Sequence, residues 1–181
     1  MTNYANRGSH FEKLIEYSNN VYAQKERGLI FKQHTHIVPI RNGKGKIVSA
    51  KICEKAIADY MGTVRGIPVA VEAKETKQAA LAYNAVKPHQ ADFLTKFERV
   101  GRGKSFVVIS YSMKKFYCVP WHYWGAWYQK IEGKSAATEI DGWTIPKKKS
   151  VRPEDLLPEW EVKTGLYGSL HYLACMMEEG N

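Results

Sequence analysis

Cysteine is scarce in this chain of 181 residues: Cys53, Cys118 and Cys175 stand far apart and form no CxxC pair. That excludes a cysteine-built structural zinc site and a disulfide framework, and it fits ordinary thiols in a reducing compartment. Long apolar runs are missing, so no segment has the length of a membrane span. Met1 to Gly8 is polar and carries no apolar signal-peptide core. A cytoplasmic location is expected. There is no internal repeat, no low-complexity tract and no linker that would split the chain, so residues 1–181 are expected to form a single domain with a sizeable core. Acidic residues are the minority among the charged ones, with Asp+Glu 18 against Lys+Arg 27, a net charge of +9. An excess of that size favours a polyanionic partner, DNA or RNA. An anionic membrane surface would call for a long basic amphipathic helix, and none is found.

What is present reads as alternating elements. Phe11, Leu14, Ile15, Val21 and Tyr22 recur at roughly helical spacing over His10–Gln24, with Ser9 as N-cap, Glu12 at the capping-box position and Gly28 as the stop. Leu29–Ile40 reads as one strand. Arg41–Lys46 contains Asn42-Gly43, which suits a tight hairpin, and Ile47–Ile57 reads as the returning strand, with a helical turn near Glu54–Asp59 as the alternative. Ile67–Lys74 is a strand entered by Gly66. Residues 75–87 are ambiguous. Pro88 suits the first position of a helix whose apolar face is Ala91, Phe93, Leu94 and Phe97. Phe106–Ser110 is a short buried strand pairing with Phe116–Val119. Gly133–Ser150 breaks regular structure, Pro153–Pro158 is a short helical turn, and Tyr167–Met177 reads as a C-terminal helix. This order predicts an α/β fold, a mixed central β-sheet flanked by helices.

The end of the Ile67–Lys74 strand carries the chemistry. Side chains alternate along a strand, so Glu72 and Lys74 share a face and Ala73 points the other way. A turn at Gly62–Gly66 would bring Asp59 back beside Glu72. Two carboxylates and a lysine at one point, on a basic protein, suggest metal-assisted cleavage of nucleic acid. Asp59 and Glu72 can give oxygen ligands, the Ala73 carbonyl a third, and Lys74, held cationic by its neighbours, can stabilise developing charge. Hard oxygen ligands with water in the remaining positions point to Mg²⁺. A Glu-x-Lys pair alone is a common pattern, and as an exposed ion pair it would be worth at most about 1 kcal/mol.

Several blocks together resemble the RecU-type Holliday junction resolvases, of the PD-(D/E)xK nuclease superfamily. Asp59-Tyr60-x-Gly62, Gly66 and Glu72-Ala73-Lys74-Glu75-Thr76-Lys77 resemble the active-site stretch. Asn6-Arg7-Gly8, Glu12 and Asn19-x-x-Tyr22 are similar to the first helix. His89-Gln90, Phe106–Ser110 and Ser150–Leu156 match later segments. The resemblance covers roughly residues 6–175. It implies a restriction-endonuclease-like fold with a protruding hairpin stalk around 38–56. It also implies metal ligands Asp59, Glu72 and Gln90, with Lys74 stabilising the transition state and Glu12 near the same metals. It further implies Mg²⁺ or Mn²⁺ as cofactor, a homodimer, four-way DNA junctions cut symmetrically on two strands, and a recombinase as a candidate further partner. The chain departs from the pattern at Ile57, where the family usually has a threonine near the metal, and at His34-Thr35-His36, where members commonly show Pro-Thr-Pro.

The basic stretch 25–55 supplies candidate DNA contacts in Lys32, Arg41, Lys44, Lys46 and Lys51, to which Arg7 is added. A solvated hairpin face is the ordinary alternative. His34 and His36 would share a strand face, but no third ligand stands nearby and surface histidines are the simpler reading. Trp121, Tyr123, Trp124, Trp127 and Tyr128 could stack on unpaired bases; core or dimer interface is the default for such a cluster. Lys147–Lys149 is either a second contact or a soluble loop. The leading function is a metal-dependent, structure-selective endonuclease for four-way junctions. Its alternatives are a branched-DNA binding or recombination-modulating protein with weak or no nuclease activity, and a restriction-like nuclease with sequence specificity.

Overall fold

The computed structural model describes residues 9–54 and 56–176. The chain runs through α1 (Ser9–Gln24), β1 (Gly28–Lys32), β2 (His36–Arg41), β3 (Ile47–Glu54), β4 (Tyr60–Val64), β5 (Ile67–Thr76), β6 (Leu81–Ala82), α2 (Pro88–Arg99), β7 (Lys104–Tyr111), β8 (Lys115–Pro120) and α3 (Trp121–Ile131). Three two-residue strands follow: β9 (Glu139–Ile140), β10 (Trp143–Thr144) and β11 (Ser150–Val151). The central sheet has the order β1-β4-β5-β7-β8. β5 and β7 are parallel and the other neighbours antiparallel, so the sheet is mixed as expected.

Strand alternation feeds two apolar layers. On one face Val69 and Val71 of β5, with Phe106 and Val108 of β7, pack under Phe11, Ile15 and Tyr22 of α1. On the other, Ala70, Val107 and Ile109 pack against Ala91 and Leu94 of α2 and the tryptophans of α3. A central strand covered on both faces has to read as a continuous apolar run, which is how β7 reads. Trp124 is 1% and Trp127 0% exposed, which bears out the core reading of the aromatic cluster.

The hairpin β4–β5 is closed by Arg65 and Gly66, both with positive φ (51° and 80°), the geometry of a two-residue turn that matches strand twist. Gly62 lets β1 lie close against β4: a Cβ there would sit 1.9 Å from the Leu29 carbonyl oxygen. β1 is an edge strand, and its Leu29 and Phe31 are 55% and 63% exposed.

Four expectations need correction. Leu29–Ile40 is two strands in two sheets: β1 pairs with β4, and after a break at 33–35 β2 pairs with β3 in a separate hairpin. His34 lies in that break and His36 opens β2, so the two do not share one strand. β3 ends at Glu54, and residues 56–59 form no helical turn. Tyr167–Met177 is not a helix. Tyr167 and Gly168 both have positive φ (62° and 80°), which right-handed helix excludes, and residues 163–171 fold back as a turn joined by Thr164↔Leu170 and by a 2.7 Å bond from Gly165 N–H to the Ser169 carbonyl. The stop after α1 also differs. Glu26 takes the left-handed position (φ 55°), with Arg27 N–H bonded to Tyr22 O at 2.9 Å and Glu26 N–H to Ala23 O at 3.0 Å, while Gly28 already belongs to β1. Among the described residues no helix is long and apolar enough to cross a membrane.

Candidate active site

β5 outruns β4. Tyr60 faces Val71 at the last register position, so Glu72 to Thr76 have a strand neighbour only on the β7 side. The open side is where Asp59 stands, one residue before β4. Its carboxylate accepts the Ala73 N–H at 2.8 Å, filling the place of the missing strand partner. The turn at Arg65-Gly66 thus brings Asp59 to the end of the apolar run, beside Glu72.

Glu72 is wholly buried. Its Oε1 accepts two donors, the Lys74 ammonium and the Gln90 side-chain amide, the latter at 2.6 Å. Its Oε2 is buried without a hydrogen-bond partner. Burial pushes the Glu72 carboxyl up to about 7; the Lys74 cation works against that, and the negative charge of Asp59 adds to it. Lys74 is about a fifth exposed at its side chain, so it joins the buried carboxylate to solvent.

Gln90 reaches Glu72 because Pro88 opens α2 and places residue 90 in the first turn. Its Oε1 accepts the Lys87 N–H at 2.9 Å. That bond fixes the amide orientation, so Gln90 presents N–H to the site and its oxygen to the helix start. In this arrangement Gln90 holds Glu72 in place and does not offer an oxygen ligand.

Asp59, Glu72, Lys74 and Gln90 are therefore brought together. Glu12 is engaged elsewhere: Lys32 bonds its carboxylate at 2.9 Å and that of Glu16 at 2.7 Å. Lys32 is thus held between two carboxylates. Glu16, one helical turn beyond Glu12, was missed in the sequence reading, although its i,i+4 spacing from Glu12 was legible. Glu75 was missed as well. It shares the α1 face of β5 with Ala73, and its Oε2 is buried without a partner. Ile57 is 45% exposed. Arg41 donates to the Gly45 carbonyl at 2.8 Å in the hairpin turn, and Arg41, Lys44, Lys46 and Lys51 are exposed along the β2–β3 hairpin. Arg7 lies outside the described residues.

Among the described residues there is no group of three or more His, Cys, Asp and Glu suited to a metal. The site still fits a hard divalent ion that keeps much of its water. Glu72 Oε2 is an orphaned anionic oxygen, Asp59 supplies a second carboxylate, and the Ala73 backbone runs between them.

Sheet and site together define an α/β protein in which two carboxylates and a lysine converge at the free edge of a central strand. The family model described as Recombination protein U, RecU, matches residues 6–177. The chain belongs to the RecU family. A Holliday junction resolvase RecU of Streptococcus pneumoniae is 28% identical over 185 residues, covering 97% of this chain and 85% of its own. One from Streptococcus gordonii is 30% identical over 162 residues, covering 86% and 79%. The solved structure of Hjc, a Holliday junction resolvase of Archaeoglobus fulgidus, aligns with 61% of this chain and 78% of its own, at 14% identity and a TM-score of 0.40.

Proposed function

We propose that this protein is a Mg²⁺-dependent endonuclease that resolves four-way DNA junctions by paired cuts on opposing strands. The observation that carries this reading is the Glu72 carboxylate. It is buried and bonded through one oxygen to Lys74 and Gln90, and it keeps the other oxygen free beside Asp59. A buried, unsatisfied anionic oxygen is costly in a merely structural protein, and a cation removes that cost.

Asp59 and Glu72 are the residues that would hold the ion. When bound, a divalent ion supplies Lewis-acid stabilisation of the phosphodiester and a more acidic water. Lys74 provides a fixed positive charge at the solvent boundary, positioned to stabilise negative charge that builds on the phosphate. Gln90 keeps Glu72 in the rotamer that leaves Oε2 free. The β2–β3 hairpin, with Arg41, Lys44, Lys46 and Lys51, offers a basic projection for the backbone of a branched DNA. We take the working unit to be a homodimer, because a two-fold axis gives one site for each of two opposing strands. The exposed Leu29 and Phe31 on edge strand β1 are apolar surface that a second copy could cover.

The test is cleavage of a synthetic four-way junction in Mg²⁺, with linear duplex as competitor. Glu72→Gln should lose cleavage by at least about a hundredfold and keep junction binding. Full activity of that variant would sink the assignment, and cutting of linear duplex at a fixed sequence would point to a restriction-like nuclease.

A further inference from the structure

A second site lies on the opposite face of the sheet from Glu72. Where α1 ends, the 163–174 segment folds back over the helix and encloses a cavity of about 240 Å³. The wall is stitched together by the polar groups of α1. Ser18 Oγ accepts the Leu170 N–H at 2.8 Å and donates to Leu14 O at 2.7 Å. Tyr22 OH donates to Leu170 O at 3.3 Å and accepts the Leu173 N–H at 3.1 Å. These groups are satisfied and leave nothing for a ligand.

The remaining polar groups of the lining have no such use. Ser169 is 97% buried by its 3% exposure, and its hydroxyl makes no hydrogen bond among the described residues. Lys25 and Arg27 line the same cavity, and neither side chain makes a hydrogen bond or ion pair among the described residues. His171 closes it; its ring packs against Gly165, where a Cβ would come within 2.2 Å of Nε2. Glu26, between the two cations in sequence, lines a separate depression with Arg65. Its left-handed backbone turns the chain so that Arg27 lies over the helix end, and the Glu26 and Arg27 N–H groups cap the last carbonyls of α1. The negative end of the helix dipole is thereby blunted.

We propose that this cavity binds a phosphoryl anion through Ser169, Lys25, Arg27 and His171. Two unpaired cations, an imidazole and an unpartnered buried hydroxyl are donors converging without an acceptor, and a phosphate group supplies acceptor oxygens and charge together. The volume falls below the roughly 300 Å³ at which pockets begin to enclose whole small molecules. The site therefore takes a phosphate group and its water and leaves the remainder of any larger ligand outside. The source is either free phosphate or a backbone phosphate of DNA reaching this face.

Thermal melting of the full chain in inorganic phosphate, against chloride at matched ionic strength, tests the proposal without using cleavage. The wild type should melt several degrees higher at saturating phosphate. Arg27→Gln and Ser169→Ala should each weaken that response about tenfold in phosphate concentration, and both should melt normally in chloride. No phosphate response in the wild type, or the full response in both variants, overturns the proposal. Once the response is seen, junction binding without divalent metal separates the sources. Binding weakened by phosphate in the wild type, and already weak in Arg27→Gln, assigns the site to the DNA backbone; binding indifferent to both assigns it to free anion.

Discussion

The Gln90 amide nitrogen lies 2.6 Å from Glu72 Oε1, while the Gln90 oxygen receives the Lys87 N–H at 2.9 Å. One side chain thus couples the start of a helix to the buried carboxylate of a strand. Gln90→Ala should weaken the divalent-ion dependence of junction cleavage roughly 10- to 100-fold, as loss of an orienting partner does at metal sites. The measurement is cleavage rate against Mg²⁺ concentration. Losing the cap to Lys87 should cost about 1 kcal/mol of stability as well. An unchanged Mg²⁺ titration would mean that Glu72 needs no help from Gln90.

Gly62 sits where β1 presses on β4, and the Leu29 carbonyl leaves no space for a side chain. Backbone has to move to admit even a methyl group. Gly62→Ala should lose roughly 1–3 kcal/mol, read by denaturant unfolding. β1 should come away from the sheet edge first, seen as early hydrogen exchange of its amides.

Glu98 is partly buried beside β7 and accepts the Ser105 N–H at 2.9 Å. Burial raises its carboxyl above the ordinary value, outweighing that bond and the nearby His122 and Lys104. A carboxyl whose folded pKa lies above its unfolded one gives stability that is present below the unfolded pKa and lost as pH rises through the folded one. Glu98→Gln keeps an acceptor for Ser105 and removes the charge. The variant should therefore melt above the wild type at neutral pH, and the gap should close as pH falls toward about 4. Melting curves across that range check it.

Glu26 holds a left-handed conformation (φ 55°) at the end of α1, a position that favours glycine. Glu26→Gly should stabilise the fold by roughly 1 kcal/mol, measured by denaturant unfolding. A loss of stability would mean that the Glu26 side chain makes up for the strain of its backbone.

Much of the site was legible because a strand has period two. Glu72 and Lys74 had to share a face, and Pro88 marked where Gln90 would sit. Asp59 was legible only through the turn at Arg65-Gly66, which sets the β4–β5 register. The orientation of the Gln90 amide was hidden, because it depends on a bond to Lys87 as much as on Glu72. Lys32 counted as a basic residue in the sequence, and only the pairing of β1 beside α1 shows that Glu12 and Glu16 take up its charge. The run Leu29–Ile40 is apolar throughout, so nothing in its pattern marks the point where its strand partner changes from β4 to β3. Leu170, Tyr172 and Leu173 are spaced like a helix face, yet all three are buried in the α1-side layer from a segment whose turn at Tyr167-Gly168 breaks any helix.

The bonds from Ser18 and Tyr22 to residues 170–173 join parts of the chain 148 to 152 residues apart. At translation speeds of about 5–20 residues per second, α1 emerges on the order of ten seconds before the segment that seals it. Through that interval the groove that will take Leu170, Tyr172 and Leu173 stays open to water and to chaperones. The α1 side is the last part of the molecule to be completed during synthesis.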